Sequence, residues 1–313
     1  MSTLKLTFLG TSASVPQKDR FLSSIAMQRE NGEIILFDCG EGTQFQMMKF
    51  NVNYQKITKV LFSHLHADHL LGIFGLLNTM RLMERTNPIT IYGPIGTKYF
   101  FDSMMGQKEN YGLTFPIDIQ EIEEGVVCDE KDYRIIGKRI MHSVYTIAYA
   151  YIEKDRLGRF DEEKARKLKV KKGKKWQELQ QGKSVLSDDN KVILPEMILG
   201  PKRRGFKIII AFDGQYVEEE FVPFATDADV LVMESTYGDE HEEKAKERLH
   251  STARWSARIA KRANAKRLYL THISPRFKED DTLEREAQEE YPNAIIAYDG
   301  LEINLNRRDL ENE

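Results

Sequence analysis

The amino-acid sequence predicts an α/β protein, and two features of its hydrophobic pattern indicate this class. Apolar runs with the length of buried strands recur along the chain and end in glycine or polar residues, as in LKLTFLG, KIIIAFDG and KRLYLTH. Segments with helical spacing of apolar residues lie between these runs. Alternation of strand-like and helical segments is typical of α/β folds.

The strand-like segments, in chain order, are LKLTFLG, SSIAMQ, EIILFDCGEG, KVLFSH, PITIYGP, RIIGKRIMHSVYTIAYAYIEK, KIIIAFDG, ADVLVMES and KRLYLTH. Among the helical segments, LLGIFGLLNTMRLMERT has Leu70, Phe74, Leu77 and Met80 at helical spacing. The longest uninterrupted helical pattern is EEKAKERLHSTARWSARIAKRANA. We therefore predict one helix in each of these two segments.

Composition excludes several classes of protein. The chain has 313 residues, of which 41% are hydrophobic and 30% are charged, as in ordinary globular proteins. No run approaches the roughly 18 apolar residues of a membrane span, and the N-terminus lacks the apolar region of a signal peptide. The two cysteines are too few for a disulfide framework, so we expect a cytoplasmic protein.

Charge is distributed unevenly along the chain. Residues 154–204 contain sixteen Lys and Arg and eight Asp and Glu, a net charge of +8, whereas the whole chain carries −3 and the remainder therefore −11. In KARKLKVKKGKK, residues 164–175, eight of the twelve residues are basic and none is acidic. A strongly basic segment in an acidic chain predicts an interaction with nucleic acid.

The segment FSHLHADHLLG places four possible metal ligands within six residues: His64, His66, Asp68 and His69. Imidazole and carboxylate groups are good zinc ligands, but these four side chains cannot all face one way on a regular helix or strand. A loop after the strand KVLFSH can direct them into one pocket. The alternative, a polar turn after a core strand, does not explain why three of the seven histidines occur here.

Three further candidate ligands lie at the ends of other strand-like segments. His142 follows RIIGKRIM, Asp213 ends KIIIAFD, and His272 ends KRLYLTH. An α/β architecture places its sites at such strand ends. Each residue alone is as consistent with a surface position, but together with the histidine-rich segment they supply seven ligands, enough for two metal ions.

The motif HLHADH resembles the HxHxDH signature of the metallo-β-lactamase superfamily, whose members have an αββα sandwich with a dinuclear site. The resemblance implies that His64, His66 and His142 bind one zinc ion and that Asp68, His69 and His272 bind the other. It also implies that Asp213 bridges the two. The motif does not distinguish lactamases, thioesterases, lactonases, sulfatases and nucleases.

Three other features are similar to ribonuclease Z, the family of nucleases that trim the 3′ end of precursor tRNA. They are the opening motifs FLGTSASVPQKDRFLSS and FDCGEGTQ, the motif LHSTA with His250, and the basic segment, which resembles a flexible tRNA-binding arm or exosite. The resemblance runs from about residue 4 to 300. It implies a metallo-β-lactamase domain at 1–153 and 205–313, with residues 154–204 as the inserted arm.

The resemblance implies cleavage after the discriminator nucleotide, leaving a 3′ hydroxyl on the tRNA and a 5′ phosphate on the trailer. Two metal ions roughly 3.5–4 Å apart supply an activated water and neutralise phosphoryl charge. We expect Asp68 to accept the proton of the water, and His250 to stabilise the transition state or protonate the leaving oxygen. The expected phosphate contacts are Lys18, Arg20, Lys171, Lys172, Lys174 and Lys175.

Two departures from the family pattern concern the site. Phe212 and Gly214 flank the proposed bridging aspartate, where the family usually has Gly-Asp-Thr, and Phe21 stands where the family commonly has asparagine. His241 lies in a charged helix start, which favours a surface position. Glu234 is consistent with two roles, orienting His250 or simply ending a strand.

Two alternative functions stay open at this stage. The first is a hydrolase of small phosphodiesters or sulfate esters on the same fold, which would have no use for the basic segment. The second is a non-catalytic RNA-binding protein, which would not need seven ligands and His250. A β-lactamase fits poorly with the absence of a signal peptide. By resemblance we also expect a homodimer that presents the arm of one subunit to the tRNA on the other.

Overall fold

The computed structural model describes residues 4–277, 281–307 and 310. Its strands confirm the predicted α/β class and fall within the apolar runs of the sequence. In chain order they are β1 (Leu4–Gly10), β2 (Ser24–Arg29), β3 (Ile34–Phe37), β4 (Ile57–Leu61), β5 (Ile89–Gly93), β6 (Ile117–Glu121), β7 (Gly125–Asp129), β8 (Tyr133–Ile140), β9 (Thr146–Glu153), β10 (Val185–Leu186), β11 (Val192–Ile193), β12 (Lys207–Ala211), β13 (Val230–Glu234), β14 (Leu268–Thr271), β15 (Ala294–Ile296) and β16 (Glu302–Leu305).

The α-helices lie in the connections between these strands. They are α1 (Thr43–Lys49), α2 (Ala67–Leu70), α3 (Gly72–Leu82), α4 (Thr97–Met105), α5 (Glu162–Lys167), α6 (Lys174–Gln180), α7 (Glu218–Ala225), α8 (Glu242–Arg248), α9 (Ala253–Arg262) and α10 (Asp281–Gln288). No helix in the described part of the chain has the length and apolar character required to cross a bilayer.

Two seven-stranded sheets form the body. The first has the order β16-β1-β2-β3-β4-β5-β6 and the second has the order β15-β14-β13-β12-β9-β8-β7. In each sheet one half is parallel and the other antiparallel: β3 to β6 are parallel in the first, and β12 to β15 in the second. Parallel strands need crossover connections, and these supply the outer helices.

Three apolar layers hold the body together. The largest lies between the sheets, where Phe8, Phe37 and Leu61 of the first sheet share a cluster with Tyr149 and Phe212 of the second. A second cluster joins the outer face of the first sheet to α1, α3 and α4, and a third joins the other sheet to α7, α9 and α10. The order helix, sheet, sheet, helix confirms the αββα sandwich that the resemblance implied.

The insertion segment, residues 154–204, has a small core of its own. It lies between β9 and β12 and contains α5, α6 and the hairpin β10–β11. Trp176 is only 6% exposed; its ring centroid lies 5.0 Å from that of Phe160 and its Nε1–H donates to the carbonyl of Val170. The two aromatic residues of this segment therefore pack inside it and leave a surface of charged side chains.

The single helix predicted for residues 242–265 is wrong, because two helices form there. Leu249 ends α8 with a positive φ of 54°, and Thr252 caps α9 by accepting from the backbone N–H of Trp255. A β-branched hydroxyl residue is a strong N-cap, which outweighs the continuous helical pattern. The break leaves His250 and Ser251 outside both helices, at the edge of the sheet where β12, β13 and β14 end.

Candidate metal centre

The seven predicted ligands all come together at one edge of the sandwich. His64 and His66 lie in the loop after β4, and Asp68 and His69 lie on the short helix α2 that follows. The other three follow strands of the second sheet: His142 is in the turn between β8 and β9, Asp213 is two residues beyond β12, and His272 is the first residue after β14. The site therefore lies where strand ends of both sheets meet.

The first histidine trio, His64, His66 and His142, surrounds one oxygen of Asp213. The ligand atoms of these four residues lie within 4.8 Å of one another. Nε2 of His64 and Nε2 of His142 are each 3.9 Å from Asp213 Oδ2, whereas His66 turns its Nδ1 inward, 2.9 Å from Nε2 of His64.

The second trio, Asp68, His69 and His272, surrounds the other oxygen of Asp213. Nε2 of His69 and Nε2 of His272 lie 3.1 and 3.0 Å from Asp213 Oδ1, and both lie 3.6 Å from Asp68 Oδ2. The Asp213 carboxylate thus presents Oδ2 to one trio and Oδ1 to the other.

Three buried atoms of the second trio and Asp213 face one another without hydrogen bonds. His69 Nε2, His272 Nε2 and Asp213 Oδ1 have no partner among the described residues. Buried polar atoms are nearly always paired, so this convergence needs an explanation. Imidazole nitrogens and carboxylate oxygens are the donor set of a transition-metal site, and a divalent cation between them would satisfy all three.

Electrostatics support a bound cation. Although burial alone would raise the pKa of Asp213, the neighbouring His272 and His69 hold it well below its usual range, so the carboxylate is charged. Burial lowers the pKa of His69, but Asp213 and Asp38 raise it well above its usual value. Burial and the nearby His69 lower the pKa of His64. Without a metal, a proton on His69 supplies the positive charge next to Asp213. A bound metal ion would replace that proton and supply the charge instead.

Every histidine of the two trios has its outward nitrogen near a partner outside the ligand set. His64 Nδ1 lies 2.9 Å from Ser63 Oγ, His69 Nδ1 2.6 Å from Asp38 Oδ2, His272 Nδ1 2.8 Å from Thr236 Oγ1, His142 Nδ1 3.0 Å from the Leu249 carbonyl and His66 Nε2 3.5 Å from Ser143 Oγ. Protonation of the outward nitrogen leaves the inward lone pair available for a metal, and it fixes the orientation of each ring.

Asp38 is a site residue that the sequence analysis missed. It is fully buried immediately after β3, and it accepts from His69, from the Ser63 backbone N–H and from the Ser63 hydroxyl. Burial raises its pKa, while His69 and Ser63 favour the charged form. The sequence carries the same signal as for Asp213, an acid directly after an apolar run.

His250 and Glu234 form a pair beside the second trio. Nδ1 of His250 lies 3.0 Å from both carboxylate oxygens of Glu234, and the His250 ring stacks on that of His272 with centroids 5.8 Å apart. Burial disfavours the charged imidazole, but the Glu234 carboxylate raises the pKa of His250 to about 9. Of the two roles left open for Glu234, the geometry favours orienting His250.

Glu234 also connects His250 to the metal centre. One oxygen accepts from the backbone N–H of Gly214, next to Asp213, and the other accepts from Thr236, which contacts His272. Gly214 has φ +149°, and a Cβ there would lie 2.2 Å from the Ile140 side chain. Glycine after the aspartate, a departure from the family pattern, is therefore required by close packing against β8.

A loop between β1 and β2, residues 11–22, closes over the second trio. The backbone N–H of Ser14, which has φ +63°, donates to Asp68 Oδ2 at 2.8 Å. The backbone of Ala13 donates to Ile273, next to His272. The loop thus fixes both the carboxylate of Asp68 and the backbone that carries His272.

Asp299 joins the two ends of this loop and is a second residue that the sequence analysis missed. It accepts from the Thr11 hydroxyl, the Phe21 backbone N–H and the Gln46 side chain, at 2.6–2.8 Å. Arg20 donates to the Thr11 hydroxyl and to the Ala297 carbonyl. Phe21, the other departure from the family pattern, contributes its backbone to this closure.

Non-glycine residues with positive φ recur around the site. Ser14, Asp38, Leu249 and His272 have φ between 53° and 63°. Each sits where its backbone makes a sharp change of direction at the end of a strand, helix or turn, and such conformations concentrate at functional sites. At Leu249 this conformation ends α8 although the helical sequence pattern continues.

The predicted phosphate contacts lie outside this cluster. Lys18 is exposed in the loop 11–22, and Arg20 is half-buried in the contacts described above. The lysines of the insertion segment, of which Lys175 is half-buried, have weak local partners: Lys171 lies 3.8 Å and Lys175 3.3 Å from Asp188, and Lys174 lies 3.9 Å from Glu178. Lys172 lies over the Trp176 ring at 5.5 Å. Exposed ion pairs of this kind contribute little and leave the cations available to a ligand.

Comparison with known proteins identifies relatives of the whole chain. A family model described as Anti-Pycsar protein Apyc1 matches residues 4–104, from β1 through most of α4. Ribonuclease Z of Gemmatimonas aurantiaca is 43% identical over 96% of each chain. The crystal structure of human tRNase Z, short form, superposes with a TM-score of 0.70 at 28% identity, over 96% of this chain and 99% of the other. The metallo-β-lactamase fold protein YhfI of Bacillus subtilis superposes with a TM-score of 0.69 at 19% identity, over 97% and 99%.

We predict that Asp38→Asn weakens binding of a divalent metal about 10- to 100-fold, the usual effect of removing a carboxylate that orients a ligating histidine. Competition with a chromophoric chelator measures the affinity. Asp102→Asn is the matched control, because Asp102 lies on α4, away from the site, and accepts from the Tyr111 hydroxyl. Equal affinities of the Asp38→Asn variant and the wild type would show that Asp38 has no effect on the metal.

Proposed function

The chain belongs to the ribonuclease Z family and has the metallo-β-lactamase fold, and we propose that it is the endoribonuclease that removes the 3′ trailer from precursor tRNA. The cut falls after the discriminator nucleotide and leaves a 3′ hydroxyl on the tRNA and a 5′ phosphate on the trailer. The observation that carries the proposal is the meeting of both trios on Asp213, with the His250–Glu234 pair alongside.

The proposal includes two Zn²⁺ ions per chain. His64, His66 and His142 would hold one, Asp68, His69 and His272 the other, and Asp213 both. The opposite directions of the two Asp213 oxygens support this division. A divalent pair at such a site lowers the pKa of water and neutralises negative charge on phosphoryl oxygens.

In the proposed reaction, the oxygen of a water bonds to phosphorus and the bond from phosphorus to the 3′ oxygen breaks. Asp68 accepts the proton of the water. Burial raises the pKa of Asp68, but the larger opposite effect of His272 and His69 lowers it below its usual value, so the carboxylate is charged. The Ser14 N–H holds Oδ2 in place.

His250 donates a proton to the leaving 3′ oxygen. The Glu234 carboxylate keeps the imidazole protonated at neutral pH, since it raises the pKa to about 9. It also fixes the ring through Nδ1, which leaves Nε2 as the atom that donates. Positioned proton transfer of this kind accelerates reactions by about 10²- to 10⁴-fold.

We assign residues 1–153 and 205–313 to the catalytic domain and residues 154–204 to a tRNA-binding arm. Residues 1–3, 278–280, 308–309 and 311–313 of this division lie outside the described residues. The separate core of the insertion segment and its net charge of +8 support the assignment. Lys171, Lys172, Lys174 and Lys175 would contact the RNA backbone there, and Lys18 and Arg20 would act near the scissile phosphate.

The proposed assembly is a homodimer in which each arm reaches the tRNA on its partner. Exposed apolar side chains on α1, on α3 and directly next to the ends of α3 support it, because such side chains are typical of interfaces. They are Phe45, Met48, Leu71, Leu82 and Met83. We further propose that the enzyme acts in the cytoplasm, where Cys39 and Cys128 stay unpaired, as they are here.

The test of the function is cleavage of a precursor tRNA with a 3′ trailer, with both new ends mapped. We expect one cut, directly after the discriminator nucleotide, that a chelator abolishes and added Zn²⁺ restores. A metal-loaded chain that hydrolyses a small phosphodiester but leaves the precursor intact would favour the small-substrate hydrolase instead.

For His250→Ala we predict a fall in turnover of about 10²- to 10⁴-fold with unchanged metal content, because the proton donor is lost and the ligands remain. Single-turnover rates and metal analysis of the same samples measure both. His241→Ala is the control histidine, at the start of α8. Loss of metal in the His250→Ala variant would make His250 a ligand, a role that its distances to Asp213 and His272 also permit.

Deletion of residues 160–195 should raise the KM for precursor tRNA and leave hydrolysis of a small phosphodiester nearly unchanged. Changing Lys171, Lys172, Lys174 and Lys175 to glutamine should do the same and reduce the salt dependence of binding, because fewer counterions are released. The control makes the same change in charge at Lys98, Lys108, Lys131 and Lys244, all exposed on the body. Parallel loss of both activities would show that the segment belongs to the folding unit of the body.

A further inference from the structure

The proposed mechanism makes no use of a cleft that opens beside the first histidine trio. This hairpin cleft has a volume of about 550 Å³ and runs from His142 along the β8–β9 hairpin. Residues 138–145 form one wall, and residues 215–221, from Gln215 to Phe221, contribute the other. A volume of this size accommodates a small ligand or a single nucleotide.

The Arg139 guanidinium lies over the ring of Tyr145 in this cleft. The guanidinium carbon of Arg139 lies 5.1 Å from the centroid of the Tyr145 ring. Arg139 is exposed, and within the described part of the chain no carboxylate forms an ion pair with it. The adjacent Lys138, in contrast, is neutralised by Glu124 at 2.8 Å and Glu220 at 3.3 Å. One cation of the cleft is therefore available to a ligand.

Apolar side chains flank this pair. Met141 is 49% exposed and Val144 is 39% exposed, on the turn that also carries His142. An aromatic ring, a guanidinium and apolar side chains together are the surface on which unpaired bases stack, since every base has a π-face and stacking tolerates any sequence. The cleft thus suits a base better than a phosphate alone.

A second cleft of about 550 Å³ lies on the other side of Gln215 and Val217, which line both. Only the second of these two clefts is lined by His250. In the proposed reaction His250 protonates the 3′ oxygen of the discriminator nucleotide, so that nucleotide must approach from the His250 side. The 5′ oxygen of the first trailer nucleotide stays on phosphorus, to the side of the line that joins the attacking and leaving oxygens. From there its nucleoside can enter the hairpin cleft, which His142 lines.

We propose that the hairpin cleft binds the base of the first trailer nucleotide, which stacks on the Arg139 guanidinium that the Tyr145 ring supports. This proposal rests on the proposed function and deepens it by assigning one nucleotide of the substrate to named residues. Because stacking is independent of sequence, the cleft holds trailers of any composition. It thereby sets which phosphate reaches the metal centre.

The experiment measures KM of the wild type and of each variant for two precursor tRNAs, one intact and one abasic at the first trailer position. For the wild type, loss of the base should raise KM about tenfold, as expected for one stacked base. Tyr145→Ala should raise KM about tenfold on the intact substrate and show no further rise on the abasic one. Tyr145→Phe keeps the ring and should behave like the wild type.

Arg139→Ala supplies a second test, because this exposed side chain can be removed without disturbing the core. The KM of this variant should rise for the intact precursor, and it should be the same for the abasic precursor as for the intact one. Arg134→Ala is the matched control, an exposed arginine on the same strand that does not line the cleft. A metal content equal to that of the wild type shows that each variant keeps an intact metal centre.

Two results would overturn the assignment. One is an equal KM of the wild type for both substrates. The other is a KM of the Tyr145→Ala variant that is about tenfold higher for the abasic precursor than for the intact one. A wild-type chain that cuts neither precursor but hydrolyses the small phosphodiester would instead refute the proposed function, and the base subsite with it.

Discussion

The arrangement of the site depends on the carboxylate of Asp213. It is buried at the end of β12, in the middle of the second sheet, and its two oxygens face different trios of possible ligands. The four surrounding Nε2 atoms belong to histidines from three separate connections of the fold. A buried charge of this kind is tolerated only when opposite charges or a metal ion surround it. The strand ends of both sheets must therefore converge on this one group.

Three other carboxylates, two of them fully buried, connect the site to the fold. Asp38 joins β3 to the histidine loop, Glu234 joins β13 to His250 and to the turn after β12, and Asp299 joins the ends of the loop 11–22. Each accepts from both backbone and side-chain donors on different elements. Such bonds fix the side chains that face the substrate, which positioned proton transfer requires.

The sequence was sufficient to predict the residues whose chemistry is unusual. HLHADH and single acids or histidines after apolar runs identified all seven residues that converge here, and the αββα sandwich followed from the resemblance. Asp38 and Asp299 were not predicted as site residues, because a single acid after a strand is common in sequences. Only the fold brings the hydrogen-bond partners of these two residues near them. The end of α8 at Leu249 was not predicted either, because the helical sequence pattern continues through this position. There the Thr252 cap and the contact between the Leu249 carbonyl and His142 decide the conformation.

Metal binding by the wild type and by Asp213→Asn tests the role of this carboxylate most directly. Titration of metal-free protein with Zn²⁺, followed by calorimetry and by metal analysis after gel filtration, counts the ions bound per chain. We predict two tightly bound ions in the wild type and the loss of at least one in the variant, with its secondary structure unchanged by circular dichroism. Two equally tight ions in the variant would contradict a bridging role for Asp213.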